Sequence, residues 1–268
     1  MRTAALQMVS GTTPESNLRA ARALLEQAAA AECELAVLPE YFCLLGRKDT
    51  DKLALRERFG DGPIQRFLAE SARELGLWVV GGTLPLEAAD DGHVRNTTLV
   101  YAPTGDCVAR YDKIHLFRFD NGRETYDEAR VIEPGQEPVA FELRTRAGET
   151  WRVGLTVCYD LRFPELYRRL DADLLLVPSA FTYTTGQAHW ETLLRARAIE
   201  NLAYVVAPAQ GGVHENGRRT WGHSMVIDPW GAVLAQQDEG PGVVGARLER
   251  SRLTQVRQQL PALQHRVL

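Results

Sequence analysis

The stretch RVGLTVCYD, residues 152–160, has the pattern of a buried β-strand that ends in a cysteine. The chain then turns into RFPELY, residues 162–167, where Pro164 marks the start of a helix. Cys158 therefore lies in a turn between a strand and a helix. We expect this position to expose the sulfur at the sheet edge and to direct the amides at the start of the helix toward it. Such amides favour a thiolate and later an oxyanion, so we predict that Cys158 is a nucleophile. This segment alone fits a buried structural cysteine equally well.

The chain ahead of this segment begins with alternating strands and helices. We predict a first strand at about residues 3–9 and a buried strand at residues 35–38. Between them lies a helix that Thr13 caps and that has Pro14 at its first position.

The same alternation continues to the end of the sequence. A helix is predicted at about residues 63–75, where Gly76 ends it, and another at residues 187–202. No linker rich in serine, glycine or proline divides the chain. We therefore expect a single α/β domain over residues 1–268.

Two segments resemble each other, TLVYAPTG at residues 98–105 and SMVIDPWG at residues 224–231. Each combines a strand-like run with a turn that contains proline and glycine, and each predicts a β-hairpin. Their recurrence in the two halves predicts two similar sheets that pack face to face with helices outside. The expected fold class is an αββα sandwich.

Composition and charge exclude several classes of protein. The 268 residues are 45% hydrophobic and 25% charged, which is ordinary for a globular chain. The net charge of -4 comes from interleaved basic and acidic residues, so we expect no nucleic acid partner. A signal-peptide pattern and a membrane-length apolar run are both missing, so we expect a cytoplasmic protein without a membrane partner. The four cysteines form no C-x-x-C pair, which disfavours a zinc site or a disulfide framework.

A nucleophilic Cys158 needs a neighbouring base or cation, because a free thiol is mostly protonated at neutral pH. His115 and His189 are possible partners for a papain-like pair, but the papain signature around the cysteine is missing. Glu40 follows the buried strand at residues 35–38, and Lys113 follows the first hairpin. Taken singly, either residue also fits a solvated loop charge.

Three segments together resemble the signature segments of the nitrilase, or carbon–nitrogen hydrolase, superfamily. They are LPEYF at residues 38–42, YDKIHL at 111–116 and GLTVCYDLRFPE at 154–165, in the order found in that superfamily. The resemblance implies a triad with Glu40 as general base, Lys113 as oxyanion stabiliser and Cys158 as nucleophile, and it requires no metal and no organic cofactor. It also implies a second catalytic glutamate upstream of a Pro-Gly pair. Glu128 fits this position, with Glu124 and Glu133 as competitors.

The segment PSAFTYTTG at residues 178–186, with AHWE at 188–191, is similar to the branch of deaminated glutathione amidases and ω-amidases. This branch implies a small amide substrate that carries a carboxylate, and a homodimer or higher homo-oligomer. The implied substrate-binding residues are Tyr159, Phe181, Thr182 and Arg162; Arg118 and Arg123 compete with Arg162 for the carboxylate.

Three other functions stay open at this point. An ω-amidase would act on 2-oxoglutaramate, and a carbamoyl or nitrile hydrolase would use the same nucleophile in a different pocket. A binding module without activity on the same fold is a third possibility. The complete set of Glu40, Lys113 and Cys158 argues against the last.

Overall fold

The computed structural model describes residues 1–267 and contains two large sheets and two short hairpins. The strands in chain order are β1 (Arg2–Gln7), β2 (Leu35–Val37), β3 (Trp78–Val80), β4 (Leu84–Glu87), β5 (Val94–Tyr101), β6 (Cys107–Asp112), β7 (Arg118–Asp120), β8 (Thr125–Asp127), β9 (Val139–Arg144), β10 (Thr150–Leu155), β11 (Leu174–Leu176), β12 (Tyr204–Ala207), β13 (Gly211–Val213), β14 (Arg219–Trp221), β15 (Ser224–Ile227), β16 (Val233–Gln237) and β17 (Gly242–Arg247).

The α-helices lie between these strands and after the last one. They are α1 (Pro14–Ala30), α2 (Asp51–Leu55), α3 (Pro63–Leu75), α4 (Pro164–Leu170), α5 (Tyr183–Asn201) and α6 (Arg250–Gln259). Short 3-10 helices cover Glu128–Arg130, Cys158–Arg162 and Ala262–His265.

The two large sheets pack face to face and are covered by helices, which confirms the predicted αββα sandwich. The first sheet has the order β17-β1-β2-β3-β5-β4, with β6 paired to β5. The second has the order β16-β15-β12-β11-β10-β9. Helices α1 and α3 cover the first sheet, and α4 and α5 cover the second. The central strands β1, β2 and β3 run parallel, as do β10, β11 and β12.

Strand β2 shows why both faces of a sheet are apolar. Successive side chains of a strand point to opposite faces. Leu35 and Val37 pack in the core between the sheets, and Ala36 packs beneath the outer helices. All three are fully buried. A continuous apolar run, rather than an alternating one, therefore marks these parallel strands.

The two hairpins predicted from their similar sequences lie within the large sheets, and they share two features of backbone geometry. The pairs β5–β6 and β15–β16 are antiparallel, and their registers shift at Val100/Tyr101 and Val226/Ile227, which are equivalent positions in the two segments. Gly105 and Gly231 end equivalent turns at φ of +87° and +88°. The repetition inferred from sequence thus extends to the turns.

Some predicted boundaries were wrong. The first strand ends at Gln7 rather than residue 9, because the chain leaves β17 there. Thr13 precedes Pro14 as predicted, but its side chain makes no capping hydrogen bond. Helix α5 begins at Tyr183, four residues before the predicted start at residue 187, because the hydroxyl of Thr182 accepts from the amide of Thr185.

Candidate active site

Cys158 lies at the point where β10 gives way to a 3-10 helix. Its φ is +49°, an uncommon value for a residue with a side chain, and strained residues of this kind concentrate at functional sites. The amide of Cys158 donates to the carbonyl of Pro178 at 2.9 Å. Since Pro178 follows β11, the turn is fixed to the end of the neighbouring parallel strand.

The side chain of Asp160 fixes this turn through hydrogen bonds. Its Oδ2 accepts from the amide of Val157 at 2.8 Å and from the hydroxyl of Tyr111 at 2.7 Å. Its Oδ1 accepts from the amide of His115 at 3.1 Å and lies 2.7 Å from His115 Nδ1. Tyr111 and His115 flank Lys113 in the chain. One fully buried carboxylate therefore ties the Cys158 turn to the segment that carries the lysine.

Glu40 lies just beyond the end of β2 and is almost fully buried. Its Oε1 accepts from Lys113 Nζ at 2.9 Å and from Asn96 Nδ2 at 3.0 Å. Its Oε2 accepts from the amide of Ala180 at 2.9 Å. Glu40 also lies near Cys158, because the charge of Glu40 shifts the pKa of that thiol. The predicted base and the predicted nucleophile are thus neighbours.

Lys113 is fully buried between two carboxylates. Its Nζ lies 2.9 Å from Glu40 Oε1 and 2.8 Å from Glu128 Oε2. Its carbonyl accepts from the amide of Gly135 at 2.8 Å. A Cβ at Gly135 would lie 2.1 Å from the carbonyl oxygen of Asp112, so only glycine permits this approach. The Pro-Gly pair therefore supports the backbone of the lysine.

Glu128 is the glutamate that reaches Lys113. Its Oε1 accepts from the hydroxyl of Tyr41 at 2.7 Å, and its Oε2 accepts from the amide of Phe117 at 2.7 Å. The two competitors lie elsewhere: Glu124 accepts from Thr184 Oγ1, and Glu133 pairs with Arg95.

The charges of this cluster shift one another's pKa values. Burial raises the pKa of Glu40, and Lys113 opposes this shift without cancelling it. Burial also acts to raise the pKa of Glu128, but Lys113, the Phe117 amide and the Tyr41 hydroxyl outweigh it and lower that pKa. Despite burial, the two carboxylates hold the pKa of Lys113 well above its ordinary value. Lys113 stays charged, and Glu40 is the carboxylate able to take up a proton.

The expectation of an exposed sulfur that ionises readily was wrong. Cys158 is only 8% exposed, and burial followed by the charge of Glu40 raises the pKa of its thiol well above the ordinary value. Lys113 and the Ala180 amide act in the opposite direction but do not prevail. The thiol is therefore neutral at pH 7 in the free protein, and its ionisation must be coupled to proton transfer.

A small cavity lies beside Cys158, with about 220 Å³ of empty space when its opening to solvent is included. All four predicted substrate-binding residues line it. Its walls are Phe117, Cys158, Tyr159, Arg162, Ala180, Phe181, Thr182 and Thr185.

Arg162 is the arginine that reaches this cavity. Its guanidinium lies 5.7 Å from the ring centres of both Tyr159 and Phe181. The competing Arg118 and Arg123 are exposed on the hairpin formed by β7 and β8.

Neither histidine considered as a partner contacts the nucleophile within the described part of the chain. His115 binds Asp160, and its ring stacks on Phe163 with 3.7 Å between ring centres. His189 is exposed, and its Nδ1 lies 3.3 Å from Arg162 Nη2. The geometry therefore favours a glutamate partner for Cys158 over a papain-like pair.

A carboxylate base, a buried lysine and a cysteine at a strained turn now stand together beside a small cavity. The carbon–nitrogen hydrolase family model matches residues 2–258 of this sequence. The chain belongs to the carbon–nitrogen hydrolase family. The predicted membership of the superfamily is thereby confirmed.

Relatives of this carbon–nitrogen hydrolase cover nearly all of it. It is 43% identical to a deaminated glutathione amidase of Synechocystis sp., over 98% of this chain and 97% of that one. Its structure is similar to that of the Caenorhabditis elegans NitFhit protein, with a TM-score of 0.89 and 39% identity, over 99% of this chain and 65% of that one. A Nesterenkonia amidase variant that carries an acrylamide adduct at its active-site cysteine has a TM-score of 0.77 and 25% identity, over 97% and 98% of the two chains.

The comparisons establish the reaction class. This carbon–nitrogen hydrolase cleaves C–N bonds other than peptide bonds, as the sequence predicts. Among residues 1–267, no group of three or more His, Cys, Asp or Glu side chains is arranged to hold a metal ion. In the same range, no helix is long and apolar enough to cross a membrane.

Sequence reasoning missed several residues of the site. Asn96 donates to Glu40 but reads in sequence only as a strand residue, and Tyr41 donates to Glu128. The signal for Asn96 was a polar amide inside an apolar strand, since buried polar groups require partners. Asp160 stands in the quoted Cys158 segment, but three of its four contacts are with Tyr111 and His115, which are far away in the chain.

Proposed function

We propose that this chain is an amidase that hydrolyses deaminated glutathione to 2-oxoglutarate and cysteinylglycine. The observation that carries the proposal is that Glu40 accepts a hydrogen bond from Lys113 and lies near Cys158, which lines a cavity together with Arg162. The name of the Synechocystis relative supports the choice of substrate. We further propose that residues 1–268 act as one catalytic domain.

The first half of the reaction forms a thioester. The thiol of Cys158 transfers its proton to Glu40 as the sulfur attacks the amide carbon, so the high pKa of the resting thiol is overcome at the moment of reaction. The electron pair of the carbonyl moves to its oxygen. Lys113 and a backbone N–H, which we assign to Tyr159, stabilise this oxyanion. When the carbonyl reforms, the C–N bond breaks, and the amine leaves with the proton from Glu40.

The second half hydrolyses the thioester. Glu40 removes a proton from water, and the resulting hydroxide attacks the acyl carbon. Collapse of the second tetrahedral intermediate breaks the C–S bond, releases 2-oxoglutarate and returns the proton to the sulfur. No metal or organic cofactor takes part in either half.

The remaining site residues bind and position the substrate. Glu128 orients Lys113 through their 2.8 Å contact. Arg162 binds the carboxylate of the 2-oxo acid through paired hydrogen bonds, for which the planar guanidinium is suited. Phe181 and Tyr159 form the walls beside the acyl chain, and Thr182 supports them at the start of α5.

We also propose that the protein is a homodimer or a higher homo-oligomer and that it is cytoplasmic. Large apolar side chains are exposed near the edge strand β16 of the second sheet, and such patches often mark protein interfaces. They include Ile199, Trp230, Val233 and Leu234. Light scattering of the purified protein tests the oligomer, and cell fractionation tests the location.

The substrate is tested by comparing kcat/KM for deaminated glutathione and 2-oxoglutaramate, with release of 2-oxoglutarate as the common readout. The expected result is a clear preference for deaminated glutathione. A preference for 2-oxoglutaramate would instead make the protein an ω-amidase. Nitriles and N-carbamoyl compounds complete the panel, and turnover of these alone would overturn the amidase proposal.

A further inference from the structure

A second cavity lies on the other side of Phe117 from the one that contains Cys158. Its empty space, including its opening to solvent, is about 340 Å³, and it is lined by two cations that the mechanism above does not use, Lys52 and Arg218. Phe117 lines both cavities, so the two spaces are neighbours. The walls of the second cavity are Tyr41, Asp49, Lys52, Phe117, Tyr126, Asp127, Glu128, Val131 and Arg218.

Lys52 projects from the short helix α2 and is largely shielded from water. Its side chain is 13% exposed, and its Nζ lies 4.9 Å from the ring centre of Tyr41. The nearest carboxylate in the described chain is that of Asp49, at 3.7 Å, which is itself mostly exposed. Burial lowers the pKa of Lys52, and Asp49 opposes this only in part. The ion pair with the largely exposed Asp49 offsets only part of the cost of burying this cation, so the position favours an anionic ligand.

Arg218 faces the same space from the turn between β13 and β14. Its guanidinium is half-buried and lies 5.0 Å from the ring centre of Tyr126. It forms no ion pair with any residue among 1–267. The next residue, Arg219, provides a contrast because it pairs with Glu239 at 2.8 Å on the surface.

The carboxylates that face this cavity do not neutralise the two cations closely. Glu128 is paired with Lys113. Asp127 lies 3.9 Å from Arg130, and Asp49 is exposed to water. These carboxylates accept no hydrogen bond from Lys52 or Arg218. A carboxylate ligand that enters the cavity could therefore accept hydrogen bonds from both cations.

The chemistry of the reaction centre assigns the two cavities to the two halves of the substrate. The departing amine takes its proton from Glu40, so it must lie on the side of Cys158 where Glu40, Lys113 and Glu128 are linked. Glu128 borders the second cavity. The acyl chain then extends the other way, toward Arg162.

We propose that Lys52 and Arg218 form a carboxylate-binding site for the amine half of the substrate, so that the enzyme selects amides whose departing amine ends in a carboxylate. This site rests on the proposed amidase function. It explains how a triad able to cleave either amide discriminates between a cysteinylglycine amide and a primary amide. Both cations approach the same carboxylate, and each supplies a charge-assisted hydrogen bond.

Kinetics with two substrates test the site directly. In Lys52→Gln and in Arg218→Gln, kcat/KM for deaminated glutathione is expected to fall by roughly 10- to 100-fold, the size typical for one hydrogen bond to a charged group. The value for 2-oxoglutaramate, which releases only ammonia, should change by less than about twofold, because this amide places nothing beside the two cations.

Matched controls lie beside each cation in the chain. Lys48→Gln and Arg219→Gln remove exposed charges and should leave kcat/KM for both substrates unchanged. Lys52→Arg keeps the charge and should restore most of the lost activity. If Lys52→Gln does not fold, the partly exposed Arg218→Gln carries the test. Equal losses for both amides, or none for deaminated glutathione, would overturn the proposal.

Binding measurements separate this proposal from the choice of substrate. Calorimetry with the Cys158→Ala protein needs no turnover, so it decides the site even if the wild type does not hydrolyse deaminated glutathione. Cysteinylglycine is expected to bind at least ~10-fold more tightly than its C-terminal amide, and the difference should vanish in Lys52→Gln. Equal Kd values for the two ligands would refute the site.

Discussion

Two buried acidic groups flank Cys158, and they differ in what surrounds them. Asp160, below the turn, takes all its hydrogen bonds from neutral or backbone donors and from His115, at 2.7 to 3.1 Å. Glu40 accepts hydrogen bonds from Lys113 and Asn96 through the same oxygen, and it lies near the thiol of Cys158. Both are almost fully buried.

Their surroundings distinguish the buried carboxylate that organises the site from the one that can react. Asp160 accepts from Val157, Tyr111 and the His115 amide and also contacts the His115 ring, so it fixes the positions of two chain segments. The pKa of Glu40 is raised because burial outweighs the attraction of Lys113, so this group is a stronger base than an ordinary glutamate. We infer that Glu40 has a chemical role and Asp160 a structural one.

Glu40→Gln removes the carboxylate to which we assign the chemical role. We expect turnover to fall by ~100- to 10,000-fold, the usual contribution of a general base, while the protein stays folded because Lys113 keeps its contact with Glu128. Steady-state kinetics and thermal unfolding give the two readouts. Near-normal turnover by this variant would contradict the role of Glu40.

Asp160→Asn should show the opposite pattern. An amide cannot accept from every donor that the carboxylate satisfies, and one unsatisfied buried group costs about 1 to 3 kcal/mol. We expect the free energy of unfolding to drop by about 2 kcal/mol and turnover of the folded protein to fall less than in Glu40→Gln. Denaturant unfolding measures the first quantity. An unchanged unfolding free energy together with a complete loss of turnover would mean that Asp160 is itself chemical.

The pH dependence of kcat/KM also separates the role of Glu40 from that of Asp160. Glu40 acts as a base only when ionised, so kcat/KM should fall as the pH drops through its pKa. Since that pKa is raised, the acidic limb should lie above about 4.3, the ordinary value for glutamate. Asp160→Asn should keep this limb, because Asp160 does not supply the base. A limb at or below the ordinary glutamate value would show that another group is the base.

The smallest expected effect concerns Thr182, at the start of α5. Its hydroxyl accepts from the Thr185 amide at 3.3 Å, so Thr182→Ala should lower the unfolding free energy by about 1 kcal/mol. Thr182→Ser keeps the oxygen and should restore most of this stability. Thermal unfolding of the three proteins is the measurement. Equal stability of the alanine variant and the wild type would leave Thr182 with a role in substrate binding alone.

The sequence predicts the fold and the triad because both depend on local order along the chain. Apolar runs placed the central strands, and Glu40, Lys113 and Cys158 each follow a strand end within a short motif. The raised thiol pKa was not predictable in this way, because it results from burial by several distant segments. Asn96 was missed for a similar reason, since it meets Glu40 only through the pairing of strands.

Lys52 and Arg218 show the same limit more strongly. They lie far apart in sequence, within no motif, and come together only because α2 and the hairpin formed by β13 and β14 border one cavity. Nothing in their local sequence distinguishes Lys52 from the exposed Lys48, or Arg218 from the paired Arg219. Burial distinguishes Lys52 from Lys48, and the lack of an ion pair within residues 1–267 distinguishes Arg218 from Arg219.

The proposed mechanism requires that Cys158 carry the acyl group during turnover. Rapid acid quenching of the wild type with deaminated glutathione, followed by mass spectrometry of its peptides, tests this most directly. We expect a 2-oxoglutaryl adduct on the peptide that contains Cys158, and neither adduct nor turnover in a folded Cys158→Ala protein. An adduct on any other residue, or appreciable turnover by that variant, would contradict it.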